Sequence, residues 1–199
     1  MKNHVNTHKA YVPAAGKDWL LPLYDPAVKL LGLDHFYYRL IECAKFVNSP
    51  KILDIGCGTG SFAKLVKQIM PFADITGIDP DPKALAVAAQ KLRQYPAVQL
   101  DLGEAYSLPY ADRSFDYVVS SFVFHHLPQT RIPEMFREVQ RVLKTEGVFW
   151  SVDFSGSARA QENITKSICL SLVQAGFNSI KVDVEKHWLL GRVSIYSAT

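Results

Sequence analysis

Three glycines alternate at Gly56, Gly58 and Gly60, directly after the apolar run Lys51-Ile52-Leu53-Asp54-Ile55. Residues without Cβ atoms let a ligand touch main-chain N–H groups, and the helical spacing of Phe62, Leu65, Val66 and Ile69 places a helix N-terminus immediately behind them. That arrangement suits a small charged ligand. A dinucleotide fingerprint, Gly-x-Gly-x-x-Gly, would need glycine where Ser61 stands, so a pyrophosphate cradle is disfavoured. Asp79 closes the next apolar run, Asp74-Ile75-Thr76-Gly77-Ile78-Asp79-Pro80, and a carboxylate there can accept both hydrogen bonds of a ribose diol. Further on, His125 and His126 are adjacent, and neutral histidine can take a proton near pH 7. Adjacent side chains rarely share a target. His125 is the favoured base, against a reading in which both histidines only hydrogen-bond around their loop.

Positioning these groups requires alternating strands and helices. The pattern gives a helix after Asp34, taken as its cap, with Phe36, Tyr37, Leu40, Ile41, Ala44 and Val47 on one side. Then follow a strand from Lys51, a helix to Met70, a strand over Ala73–Asp79 and a helix opening near Pro82. Strands at about Ala97–Leu102 and Phe115–Ser121 come next, then a helix with Ile132, Met135, Phe136, Val139, Val142 and Leu143 on one face. A strand over Gly147–Phe154, a polar link and a helix with Ile164, Ile168, Leu172 and Ala175, closed by Gly176, lead to two final strands. Those strands, about Ser179–Lys186 and Arg192–Tyr196, lie close enough to pair antiparallel. Strict alternation implies an α/β fold with a mostly parallel sheet and helices on both faces. In such a sheet ligands sit at the carboxyl ends of the strands, where the glycine loop, Asp79 and the two histidines fall.

Asp54 with Gly56-Cys57-Gly58-Thr59-Gly60, followed by Asp79, resembles the first two motifs of the class I S-adenosylmethionine-dependent methyltransferases. Gly103-Glu104-Ala105, Leu108-Pro109-Tyr110, Ser114 to Ser121, His125-His126-Leu127-Pro128, Arg141 to Lys144 and Gly147 continue the likeness across about half the chain. Their order is similar to the subgroup containing the ubiquinone and menaquinone biosynthesis methyltransferases. The resemblance implies a Rossmann-like, seven-stranded sheet ending in an antiparallel hairpin, with S-adenosylmethionine as cofactor. It implies that Asp54 and the loop Gly56 to Gly60, Cys57 and Thr59 included, surround the methionine part, and that Asp79 holds the ribose. Pro80 and Leu108 would wall the adenine, with Ala105 beside it. Its amino group would meet Glu104, one carbon longer than the usual aspartate, or the competing Asp101. Ser120 and Ser121 would line the cofactor, and Phe122, His126 and Asp153 would face the acceptor. A sulfonium donor needs little covalent help, so alignment and exclusion of water come first.

At 199 residues the sequence reads as one domain: a flexible arm over 1–18, a lid or helical cap over 19–49 and a cofactor-binding core over 50–199. Trp19-Leu20-Leu21-Pro22-Leu23-Tyr24-Asp25-Pro26 is apolar and broken by prolines, so it cannot be one regular helix. It either covers core, carries Trp19 and Tyr24 over the acceptor site, or touches a membrane surface. A net charge of +3 with scattered Lys and Arg gives no basic stripe, and no Asn-Pro-Pro-Tyr-like run follows the fourth strand, so nucleic acid is not an expected partner. Three cysteines without a Cys-x-x-Cys pair argue against zinc and disulfides, and no metal is expected. With no secretory apolar core and no run long enough to span a bilayer, the protein is expected in the cytoplasm. The expected activity is methyl transfer to a small-molecule acceptor at O, N or C, lipid-like or aromatic given the apolar Trp19–Leu33 stretch. The competing readings are a catalytically silent cofactor-binding protein and a methyltransferase for protein or nucleic acid.

Overall fold

In the computed structural model, which describes residues 26, 30–47, 49–95, 97–189 and 191–199, seven strands form one sheet in the order β3-β2-β1-β4-β5-β7-β6. The strands are β1 (Lys51–Ile55), β2 (Asp74–Asp79), β3 (Val98–Leu102), β4 (Phe115–Ser121), β5 (Leu143–Gly156), β6 (Ile180–His187) and β7 (Gly191–Ala198). The helices are α1 (Asp34–Ala44), α2 (Ser61–Ile69), α3 (Pro82–Leu92), α4 (Ile132–Val142) and α5 (Ala158–Ala175). The pairs β1–β2, β1–β4, β2–β3 and β4–β5 are parallel, while β7 pairs antiparallel with both β5 and β6. This is the mostly parallel, seven-stranded sheet with a closing antiparallel pair that the resemblance implies. The arm 1–18 and Trp19 and Tyr24 lie outside the described residues.

Strand alternation sorts the core into two layers. Leu53, Ile55, Val118, Phe149 and Tyr196 project to the face covered by α4 and α5, whereas Ile52, Tyr117, Val119, Val152 and Ile195 project to the face covered by α1, α2 and α3. Both faces being buried explains why these strands read as continuous apolar runs. In α4 the residues Ile132, Met135, Phe136, Val139 and Val142 are all buried on one stripe. Each such side chain contributes about 1.5–3 kcal/mol of transfer free energy.

Local chemistry sets the boundaries. Asp81 caps α3 by accepting from Lys83 N at 2.9 Å, and Pro82 occupies the first helical turn. Ser157 caps α5, and Gly176 at φ 104° ends it by donating to Leu172 O and Val173 O. Three expectations change. Asp34 does not cap α1: it is the first helical residue, Leu33 holds the cap position without a side-chain bond, and the carboxylate acts only through the helix dipole. The helix ends at Ala44, with Lys45 left-handed, so Val47 falls outside it and is exposed. Leu143 leaves the helix for β5, which begins at the end of α4 and passes a bulge before Tyr117 and Val148 pair.

Candidate functional site

The carboxyl ends of β1, β2 and β4 open onto a cavity with about 930 Å³ of empty space, counted out to its mouth. Its floor is the glycine loop. Gly56 N and Cys57 N both donate to Ile78 O, at 2.8 and 3.2 Å, and Gly58 N donates to Asp79 Oδ2 at 2.8 Å, so the loop is fastened to the end of β2. Gly56 has φ 69°, and an added Cβ would collide with Val123 Cγ2; at Gly60, φ 76°, it would meet Leu92 of α3 at 2.7 Å. Both positions therefore need glycine for conformation and for space. Lys91 of α3 reaches across to Thr59 Oγ1 at 3.1 Å and Ser61 Oγ at 2.9 Å, bracing the loop from behind. No side chain caps α2, whose N-terminus follows the glycine loop directly.

Asp54 and Asp79 both line the cavity and both are buried. Asp79 also accepts from Asp81 N at 2.9 Å, and these amide bonds oppose the upward push that burial gives its pKa. Asp54 has an oxygen, Oδ2, with no hydrogen-bond partner, and burial, helped by the Asp79 charge, pushes its carboxyl up to about 8. An acid so placed fits a cationic partner such as the ammonium of an amino-acid ligand.

The folded Asp54 pKa of about 8 lies above the ordinary 3.8, so the native state holds the proton between those values. The stability contributed by this group is full below the ordinary value and is lost as pH rises through about 8, with a slope of at most about 1.4 kcal/mol per pH unit. In Asp54→Asn the ligand-free chain should lose less melting temperature than the wild type between about pH 5 and about pH 8. Thermal melts across that range measure it.

Pro80, Glu104, Ala105 and Ser121 also line the cavity. Of the two competing acids, Asp101 faces away: it accepts from Tyr110 Oη at 2.9 Å and from Gln99, and burial, helped by the Asp101 bond, pushes the Tyr110 hydroxyl pKa well up. Leu108 does not line the cavity: it is buried in the core beneath α4, where its N–H donates to Glu138. Gly60 backs the loop without lining the cavity, and Ser120 is wholly buried on the α4 side of the sheet.

The two histidines divide their tasks differently from expectation. They sit in a 3-10 turn, Phe124–His126, after β4. Asp153, buried in β5, accepts from Phe124 N at 2.5 Å and Phe154 N at 2.7 Å and holds His125 Nδ1 at 2.7 Å. Its carboxylate is committed to the turn, and neither Asp153 nor His125 lines the cavity. His126 does line the cavity, 4.0 Å from the His125 ring between centroids. Burial, with His125 beside it, lowers the His126 pKa and keeps the ring neutral, which a proton acceptor requires.

Phe122 lines the cavity with a left-handed φ of 58°, a strained value for a bulky residue. Stacking on Phe154 at 4.7 Å and edge contact with Phe36 at 6.1 Å hold it there. Tyr37, Phe62, Val123 and Leu127 complete the apolar wall. Sequence reasoning placed Tyr37 and Phe62 in the core, since helical spacing marks an inward face without separating core from cavity. Among the described residues, no group of three His, Cys, Asp or Glu could hold a metal ion, and no helix is long and apolar enough to cross a membrane.

Residues 52–147 match the family described as methyltransferase domain. A demethylmenaquinone methyltransferase of Thermotoga maritima is 38% identical over 133 residues, covering 65% of this chain and 56% of the relative. One of Chlorobaculum parvum is 33% identical over 144 residues, covering 68% and 57%. The chain thus spans little more than half the length of these curated relatives. A crystal structure of a SAM dependent methyltransferase from Aquifex aeolicus superposes with a TM-score of 0.73 at 19% identity, covering 92% of this chain and 97% of that one, a likeness of fold.

Proposed function

Since residues 52–147 match a methyltransferase domain, we propose that the cavity holds S-adenosylmethionine and directs methyl transfer to an aromatic or lipid-like small molecule. The observation that carries this reading is one cavity lined both by a buried acid with an open oxygen and by His126 among aromatic side chains. When bound, the cofactor supplies a methyl group on a positively charged sulfur, already a strong electrophile. Asp54 would meet the ammonium, and the uncapped start of α2 the carboxylate. Asp79 would accept from the ribose hydroxyls with its remaining lone pairs, Pro80 and Ala105 would flank the adenine, and Glu104 would accept from its amino group. Phe122, Tyr37 and Phe62 would press the acceptor into line and exclude water. His126 would take the proton that the acceptor sheds as the methyl bond forms. The names of the relatives, which act on demethylmenaquinone, and the apolar walls together favour an aromatic, lipid-like acceptor.

Incubation with methyl-labelled cofactor and a cell extract tests the proposal. Label is expected in the lipid-extractable fraction, with S-adenosylhomocysteine accumulating. Bound cofactor without transfer to any fraction would instead leave a silent binding protein. His126→Asn should cut kcat about 100-fold while leaving cofactor affinity unchanged. In the wild type the rate should fall on the acid side as His126 protonates, with a midpoint below the usual histidine value because its pKa is lowered. A pH–rate profile for both proteins measures this.

A further inference from the structure

β6 is antiparallel to β7, which is antiparallel to β5, so the turn between β6 and β7 lies at the same edge of the sheet as the cavity. At that turn Trp188 is 79% exposed and Leu189 55% exposed. Leu30, 85% exposed, is carried alongside because His187 Nε2 bonds to Leu31 O at 2.8 Å. A run of rings joins this tip to the cavity wall: Phe122 contacts Phe36 at 6.1 Å, Phe36 contacts His187 at 6.1 Å, and His187 contacts Trp188 at 5.9 Å. Lys186 and Arg192 face each other across the strands just behind the tip. The neighbouring acid, Glu185, is already answered by Arg39 at 3.0 Å and His35 at 3.4 Å, so cationic charge prevails there.

An exposed tryptophan and leucines, backed by Lys186 and Arg192, have the chemistry of an interfacial anchor. The indole and leucine side chains enter the headgroup–acyl boundary, and the cations meet anionic phosphates. We propose that the β6–β7 tip docks on an anionic phospholipid bilayer and thereby holds the mouth of the cavity against it. Docking does not depend on the methyl-transfer reading; its consequence, supply of a lipid-soluble acceptor from the bilayer, does.

The test is flotation of the full chain with vesicles of phosphatidylcholine alone or mixed with phosphatidylglycerol. Binding is expected to the mixed vesicles and to weaken with salt. The double variant Trp188→Ser, Leu189→Ser should lower partitioning at least about tenfold, and removing Lys186 and Arg192 should lower it roughly fivefold per residue. Affinity for S-adenosylhomocysteine should stay unchanged in every variant, which keeps this outcome separate from the cofactor assignment. Absence of binding to mixed vesicles, or equal binding by the Trp188/Leu189 variant, would overturn the proposal. So would a lipid-free dimer that the same variant dissolves, since the tip would then be covered by a second copy.

Discussion

Asp79→Ala is expected to weaken binding of S-adenosylhomocysteine by two to three orders of magnitude, about 3–4 kcal/mol. The carboxylate does two things at once. It fastens the glycine loop by accepting from Gly58 N at 2.8 Å, and it fixes the start of the α3 cap by accepting from Asp81 N at 2.9 Å. A hydrogen bond to a charged group is worth about 1.5–3 kcal/mol, and ligand hydroxyls would add bonds of that kind. Removing the acid forfeits the ligand bonds and leaves two largely buried amides unanswered. Asp79→Asn should fall between, because an amide keeps one acceptor oxygen and sets a donor against one of the two N–H groups. Titration calorimetry gives the affinities, and melting curves separate a loosened loop from an unfolded chain.

The second large effect belongs to Gly56. Alanine there would sit at φ 69° and drive its Cβ into Val123. A left-handed L-residue costs roughly 1–2 kcal/mol and overpacking roughly 1–3 kcal/mol, so Gly56→Ala should lower stability by about 2–5 kcal/mol. Displacement of Val123 would also move the turn that carries His126, so activity should fall further than stability alone accounts for. Gly58 is the internal control: its φ is 51°, but an added Cβ meets nothing nearer than Gly56 O at 4.0 Å. Gly58→Ala should lose only the conformational share, about 1–2 kcal/mol. Denaturant melts of the two variants measure the difference.

These contrasts also mark how far the sequence could be read. The β–α alternation, the glycine loop and the acids at Asp54 and Asp79 announce themselves because each is local: an apolar period, a residue without Cβ, a charge at a strand end. Side-chain direction in irregular backbone is not local. His125 and His126 are chemically equal in sequence, and only the 3-10 turn, fixed from a distance by Asp153 on β5, points the second one into the cavity. The directions of Leu108 and Asp101 are not legible for the same reason, since Glu138 and Tyr110, elsewhere in the chain, decide which way each faces. The place of Phe122 at the site follows from the resemblance, but its conformation does not: nothing in its neighbours forecasts a left-handed phenylalanine, which persists because Phe36 and Phe154 hold it. The exposed Trp188 was equally silent, because exposure at a hairpin tip follows from the sheet order and not from the residues beside it.

Underlying all of this is one assignment, that the loop Gly56–Gly60 with Asp54 and Asp79 holds an activated methyl donor. Calorimetric titration of the intact chain with S-adenosylhomocysteine, run in buffers of different ionisation enthalpy, tests it most directly. One site per chain is expected, with about one proton released near pH 7 as Asp54 ionises against the ligand ammonium, and no binding of a nicotinamide dinucleotide. A folded chain that gives no heat with the homocysteine product but binds the dinucleotide would contradict it.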